Sequence, residues 1–233
     1  MTFTPLCRIC GRQMSEPGDV CRSCAAPPAS PESGLTPPPG TPAEVGEWRL
    51  GRVLGKGGMG AVYLGQHRKT ARSAAIKVLL SHVVVDDLAR DIFRREIEVT
   101  RALRHPAIVE LYDHGSEGSQ FWFAMEFCPG GSVYHLVKAR GQALPPLQAA
   151  RMMADALEGL AHAHAQGFVH RDLKPENLLV RSAQGDGVKV TDFGLAKSFQ
   201  QAGLSGMTAT GAVAGTISFM PREQLTSFRQ MKP

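Results

Sequence analysis

The chain has 233 residues, 43% of them hydrophobic and 20% charged, with a net charge of +5. Those proportions exclude wholesale disorder, collagen and a coiled coil, and no apolar run approaches the ~20 residues needed to span a bilayer. The basic balance permits contact with anionic partners without requiring it; no secretory signal is visible, so a cytoplasmic protein is expected.

Residues 1–24 carry Cys7-x-x-Cys10 and Cys21-x-x-Cys24. Each Cys-x-x-Cys turn presents two thiolates on one side of a knuckle, and two knuckles close a tetrahedral zinc site. Some twenty residues without a core need such a staple, because metal binding supplies the folding free energy. A structural, four-thiolate Zn2+ module is therefore expected, with no open position for catalysis. Two disulfides or unstructured thiols are the alternatives, and disulfides need an oxidising compartment. Its only basic residues are Arg8, Arg12 and Arg22, and its only aromatic is Phe3. That favours a protein partner for the module over nucleic acid. Residues 25–46 hold seven prolines and, beyond alanine, only Leu35 and Val45 as apolar residues, so they read as an extended linker.

Residues 47–233 read as one globular domain. Strands are expected at Leu50–Leu54, Ala61–Leu64 and Ala74–Leu80, the first two joined by a Gly-rich turn. A charged helix is expected over Asp87–Leu103, then strands at Ile108–Tyr112 and Phe121–Phe127. Residues 146–166 form the clearest helix. Ala150, Met153, Ala154, Leu157, Leu160 and Ala161 recur at helical spacing, and Gly167 sits where a C′ glycine ends a helix. Short strands follow at Asn177–Val180 and Val188–Thr191. Strands first and helices later predict an α+β fold in two segregated lobes.

Three motifs carry chemistry. Gly55-Lys56-Gly57-Gly58-Met59-Gly60-Ala61-Val62 fits G-x-G-x-x-G-x-V. A dinucleotide fingerprint would need a helix straight after the glycines; here Ala61-Val62-Tyr63-Leu64 has strand character, so the loop is a hairpin tip. Ala75-Ile76-Lys77 follows in the next strand. Then come His170-Arg171-Asp172-Leu173-Lys174-Pro175-Glu176-Asn177 and, twenty residues after Asp172, Asp192-Phe193-Gly194. In this order and spacing residues 47–233 resemble the eukaryotic-like (Hanks-type) serine/threonine protein kinases of bacteria.

The resemblance implies a bilobal kinase-like fold and transfer of the ATP γ-phosphoryl group to Ser or Thr hydroxyls of protein substrates, with Mg2+. Asp172 matches the residue that orients the attacking hydroxyl and accepts its proton, and Lys174 the one that steadies the γ-phosphate. Asn177 and Asp192 match the Mg2+ ligands. Lys77 matches the lysine for the α- and β-phosphates and Glu96 its partner. The nucleotide site would comprise Leu54, the Gly55–Gly60 loop with Lys56 and Met59, Val62 and Ala75 above the purine, Leu179 below it, and Met125, Glu126 and Cys128 at the hinge. Thr208, Thr210 and Thr216 resemble an autophosphorylated activation loop, with Arg171 as the phosphate pocket. Two departures stand out. Pro221-Arg222-Glu223 replaces the family's Ala-Pro-Glu, and the sequence ends ten residues later, before the family's remaining helices. A chain that ends there is expected to be unstable by itself, and a non-catalytic nucleotide-binding or scaffold protein is the second reading.

Overall fold

The computed structural model describes residues 42–57, 60–79, 97, 100–117, 120–183, 185–193 and 219. The four zinc-module cysteines, Gly58, Met59, Glu96, Gly194, the threonines of the activation loop and Pro221-Arg222-Glu223 lie outside them, as does most of the helix expected over 87–103. Within that helix Ile97 and 100–102 have helical backbone.

Eight strands are described: β1 (Glu44–Val45), β2 (Trp48–Gly57), β3 (Gly60–His67), β4 (Ser73–Leu79), β5 (Leu111–Glu117), β6 (Gln120–Glu126), β7 (Leu178–Val180) and β8 (Val188–Val190). Two helices, α1 (Val133–Arg140) and α2 (Pro146–Ala165), lie between β6 and β7. The first six strands form one antiparallel sheet in the order β1-β2-β3-β4-β6-β5; β7 and β8 form a hairpin of their own.

The sheet is apolar on both faces because its central strands alternate two kinds of apolar side chain. In β4, Ala74, Ile76 and Val78 point to one face, where they pack with Trp48, Leu50, Tyr63, Trp122 and Ala124. Ala75 and Leu79 point to the other and pack with Ile97, Val109, Phe121, Phe123 and Met125. Lys77 shares the parity of Ala75 and Leu79, so strand geometry places it on that second face, opposite Phe123 in register. The outer strands of the sheet are also tied together. Gly46 N–H donates to Glu117 Oε1 at 2.7 Å, Trp48 Nε1–H donates to Asp113 Oδ2 at 3.3 Å, and the Trp48 and Tyr112 rings stack.

β1 falls inside the segment expected to be linker. Val45 is buried and Leu50 N–H donates to Ala43 O at 2.8 Å, so the folded unit already includes residues 43–46. The strand expected at Ile108–Tyr112 is displaced to Leu111–Glu117. The reason is a competing partner: Val109 N–H donates to Val190 O and Val190 N–H donates to Ala107 O, so this stretch pairs with β8 and joins the sheet to the helical part.

α2 has Pro146 in its first turn, where the missing N–H costs nothing. It ends in a Schellman motif: Gly167 is left-handed at φ +81°, its N–H donates to His164 O, and Phe168 N–H donates to Ala163 O. Met152, Ala156, Gly159 and Ala163 are buried, packing with Leu103, Ile108, Val180, Val188, Val190 and Phe193, and Leu160 joins them partly. Ala150, Ala154 and Ala161 are exposed, as are Met153 at 52% and Leu157 at 57%. Both faces are apolar, and on the buried one Gly159 lets the helix approach the 107 segment closely. A Cβ there would sit 2.8 Å from Ala107 O. α1 was not read from the sequence because it is only eight residues long; it is started by Ser132, whose hydroxyl accepts from His135 N–H, and closed by left-handed Gly141.

Candidate functional site

The β2–β3 hairpin is paired through Gly57 opposite Gly60 and Gly55 opposite Val62, so the Gly-rich loop is a hairpin tip. Leu54, Val62 and Leu179 are half-buried against the cluster that holds Ala75, Met125 and Cys128. Ala75 is opposite Met125 in the β4–β6 ladder. An apolar slot is thus lined from both sides of the molecule: by β2, β3, β4 and β6 above, and by Leu179 of β7 below. Lys56 is exposed. Burial and the neighbouring Glu126 carboxylate push the Cys128 thiol up to about 12, so this cysteine is a packed, protonated residue rather than a nucleophile. A cavity beside Met125 is lined by Ile97, Thr100, Phe123, Asp192 and Phe193.

Two Lys–Asp pairs face the cleft. Lys77 Nζ donates to Asp192 Oδ2 at 2.9 Å, with side chains 15% and 24% exposed. Lys174 Nζ lies 2.8 Å from Asp172 Oδ2. In each pair the second carboxylate oxygen, Asp192 Oδ1 or Asp172 Oδ1, is buried and has no hydrogen-bond partner among the described residues. A buried acceptor without a partner costs free energy unless a ligand fills the place.

Asn177 links the two pairs. Its amide nitrogen donates to Asp172 O at 2.8 Å and to Asp172 Oδ2 at 3.2 Å, while its backbone carbonyl accepts from Thr191 N–H at 3.0 Å. With the amide nitrogen turned to Asp172, the amide oxygen is what Asn177 can offer a cation. One amide oxygen, a carboxylate oxygen of Asp192 and nearby solvent make a hard-oxygen set that fits Mg2+.

His170 is the second link, and it is 2% exposed. Its Nδ1 accepts from Asp172 N–H at 3.2 Å, so the ring proton sits on Nε2, which donates to Thr191 O at 2.8 Å. Burial lowers the His170 pKa below the ordinary 6.5, partly opposed by the bond to Thr191 O and by Asp192 and Asp172. The neutral ring packs against Phe193 at 4.8 Å between centroids. The backbone on either side is unusual. Arg171 and Asp192 are left-handed at φ +65° and +62°, which costs an ordinary residue on the order of 1 kcal/mol. The His170 bonds hold both residues in place.

The structure therefore brings together Lys77, Asp172, Lys174, Asn177 and Asp192, with Leu54, Val62, Ala75, Met125, Cys128 and Leu179 beside them. The expected Lys77–Glu96 pair falls on an undescribed residue; among the described residues Lys77 is held by Asp192. The positioning role of His170 and the ion pair between Lys189 Nζ and Glu126 Oε2, at 2.6 Å, were not read from the sequence. The signal for Lys189 was present: it alternates with Val188 and Val190, which places it on the face opposite the core.

A model of the protein kinase domain matches residues 48–232. The chain belongs to the protein kinase family. Membership implies ATP with Mg2+ and a strand-rich lobe followed by a helical one. The chain is 37% identical over 180 residues to the serine/threonine-protein kinase pkn2 of Myxococcus xanthus, covering 77% of this chain and 21% of that protein. It is 38% identical over 180 residues to PknJ of Mycobacterium tuberculosis, covering 76% and 30%. It is 38% identical over 186 residues to PknB of Mycobacterium leprae, covering 76% and 28%. The chain thus spans less than a third of the length of these bacterial relatives. Among the described residues no helix is long and apolar enough to cross a membrane.

Proposed function

We propose that this kinase domain transfers the γ-phosphoryl group of ATP to Ser or Thr hydroxyls of proteins. The observation that carries the proposal is the pair of unpartnered buried oxygens, Asp172 Oδ1 and Asp192 Oδ1, each beside a lysine. When bound, Mg·ATP supplies the phosphoryl group and the cation that neutralises its charge. Asp172 orients the substrate hydroxyl and takes its proton. Lys174, 2.8 Å from Asp172 Oδ2, leaves a cation at the place where phosphoryl charge arrives. Asn177 and Asp192 hold Mg2+ through oxygen. Lys77 anchors Asp192 and presents its ammonium to the phosphates. Glu126 and Cys128 meet the adenine through their backbone, and Leu54, Val62, Ala75, Met125 and Leu179 enclose it and exclude water. The relatives' names and Lys174 support Ser/Thr over Tyr as acceptor.

Three further parts belong to the same reading. Thr208 and Thr210 are autophosphorylated. Cys7, Cys10, Cys21 and Cys24 bind one structural Zn2+ in a module that meets a protein partner. The protein acts in the cytoplasm. Incubation with γ-labelled Mg·ATP and a generic basic protein tests the activity, with phosphoamino-acid analysis of the product. Label on Ser and Thr is expected; label on Tyr alone, or none, contradicts the reading. Mass spectrometry of an active preparation is expected to find phosphate at Thr208 or Thr210, and metal analysis one zinc per chain that is lost in Cys7→Ser.

A further inference from the structure

Lys189 stands out because the chemistry described above does not use it. It sits in the three-residue strand β8, between Val188 and Val190, both fully buried in the helical part's core. Alternation turns Lys189 and Thr191 the other way, towards the end of β6. Thr191 Oγ1–H donates to Met125 Sδ at 3.8 Å, and Lys189 Nζ donates to Glu126 Oε2 at 2.6 Å. The two side chains of that ion pair are 13% and 26% exposed, so solvent screens them little. The same Glu126 oxygen accepts from Glu110 N–H at 3.3 Å, while Glu126 N–H donates to Glu110 O at 2.8 Å. Glu126 is thereby fixed at its backbone by the neighbouring strand and at its carboxylate by a cation from the other lobe.

We propose that Lys189 is a positioning residue for the adenine-binding hinge: through the Glu126 carboxylate it holds the Glu126–Cys128 backbone where the purine binds. The inference rests on the kinase reading above and adds a residue to it. A short charge-assisted bond between two mostly shielded groups tolerates little displacement. Because it joins β8 to β6, it also fixes the hinge relative to Asp192, three residues along the chain from Lys189. Without the cation, the Glu126 carboxylate keeps one backbone donor and is drawn towards solvent, and the carbonyl and amide on either side of it lose their fixed direction. The loss falls on base recognition. The phosphate end keeps Lys77, Asn177 and Asp192, so the chemical step keeps its groups.

The experiment measures, on the full chain, the affinity for Mg·ATP and for adenosine together with the steady-state KM and kcat for ATP. Lys189→Met is expected to weaken ATP and adenosine by the same factor, about five- to tenfold, and to leave kcat within about twofold. Lys189→Arg restores both affinities, because the guanidinium also reaches a carboxylate. Glu126→Gln reproduces the loss, and Lys189→Met with Glu126→Gln is no weaker than either alone, as two halves of one interaction require. Unchanged adenosine affinity, a loss confined to ATP, or additive effects overturn the proposal. If Lys189→Met shows no cooperative thermal transition, Glu126→Gln decides alone, since its amide oxygen still accepts from Glu110 N–H. A wild-type chain that neither binds ATP nor transfers phosphate overturns the kinase reading; one that does both while the variants match it overturns only the role of Lys189.

Discussion

Among the described residues the six-stranded sheet is packed on both faces, whereas α2 is packed on one. On the sheet, Ile76 and Lys77 are neighbours with opposite fates: Ile76 is fully buried under Trp48 and Trp122, and Lys77 looks into the cleft beside Phe123. On α2, Met152 and Met153 are also neighbours, but here the second residue faces solvent along with Leu147 and Leu157. The sheet supplies the apolar slot and Lys77 from a fully packed support. α2 meets the 107 segment and β8 through small residues, Ala156, Gly159 and Ala163, which allow close approach rather than bury a large area. The difference teaches that one half of the site is held by bulk packing and the other by close approach and hydrogen bonds through His170 and Asn177.

The largest effect expected is on activity. Lys77→Met removes the cation that Asp192 and the phosphates share, and phosphoryl transfer falls by on the order of 100-fold or more in initial-rate assays. Next come the two kinds of support. Ile76→Ala opens a cavity in a dense core and costs about 2–5 kcal/mol in urea unfolding, while Leu157→Ala stays within about 0.5 kcal/mol. Equal costs would break the contrast between sheet and helix. Gly159→Ala pushes a methyl against Ala107 O and costs about 1–3 kcal/mol; a neutral result would show that close approach is not what seats α2.

The smallest effect is that of pH. His170 is neutral when folded and its pKa is lowered by burial, so the unfolded chain binds the extra proton. Its contribution to stability is present above the ordinary 6.5 and is lost as pH falls from there towards the folded value. In His170→Asn the drop in melting temperature between about pH 7.5 and 5.5 is therefore expected to be shallower than in wild type.

Much of the site was legible through the family resemblance, because its motifs are local: Ala75-Ile76-Lys77 is one short run, and Asp172, Lys174 and Asn177 lie within six residues. The Gly-rich hairpin was legible because strand residues follow the glycines directly. What escaped depends on partners distant in the chain. Periodicity shows that Met153 and Leu157 share an apolar face, but the packing of Met152, Ala156, Gly159 and Ala163 against the core depends on the close approach of Gly159 to Ala107, which no local pattern marks. β5 begins at Leu111 because Val109 is taken by Val190, 81 residues away. The Lys189–Glu126 pair spans 63 residues and has no local mark beyond alternation.

The central claim is that the two halves divide the work, the sheet side binding nucleotide and the Asp172 side activating the acceptor. Asp172→Asn tests it most directly, with Mg·ADP affinity and phosphate incorporation measured on the same preparation as wild type. Retained affinity within about twofold and incorporation reduced at least about 100-fold are predicted. Equal incorporation by the two proteins would contradict the account.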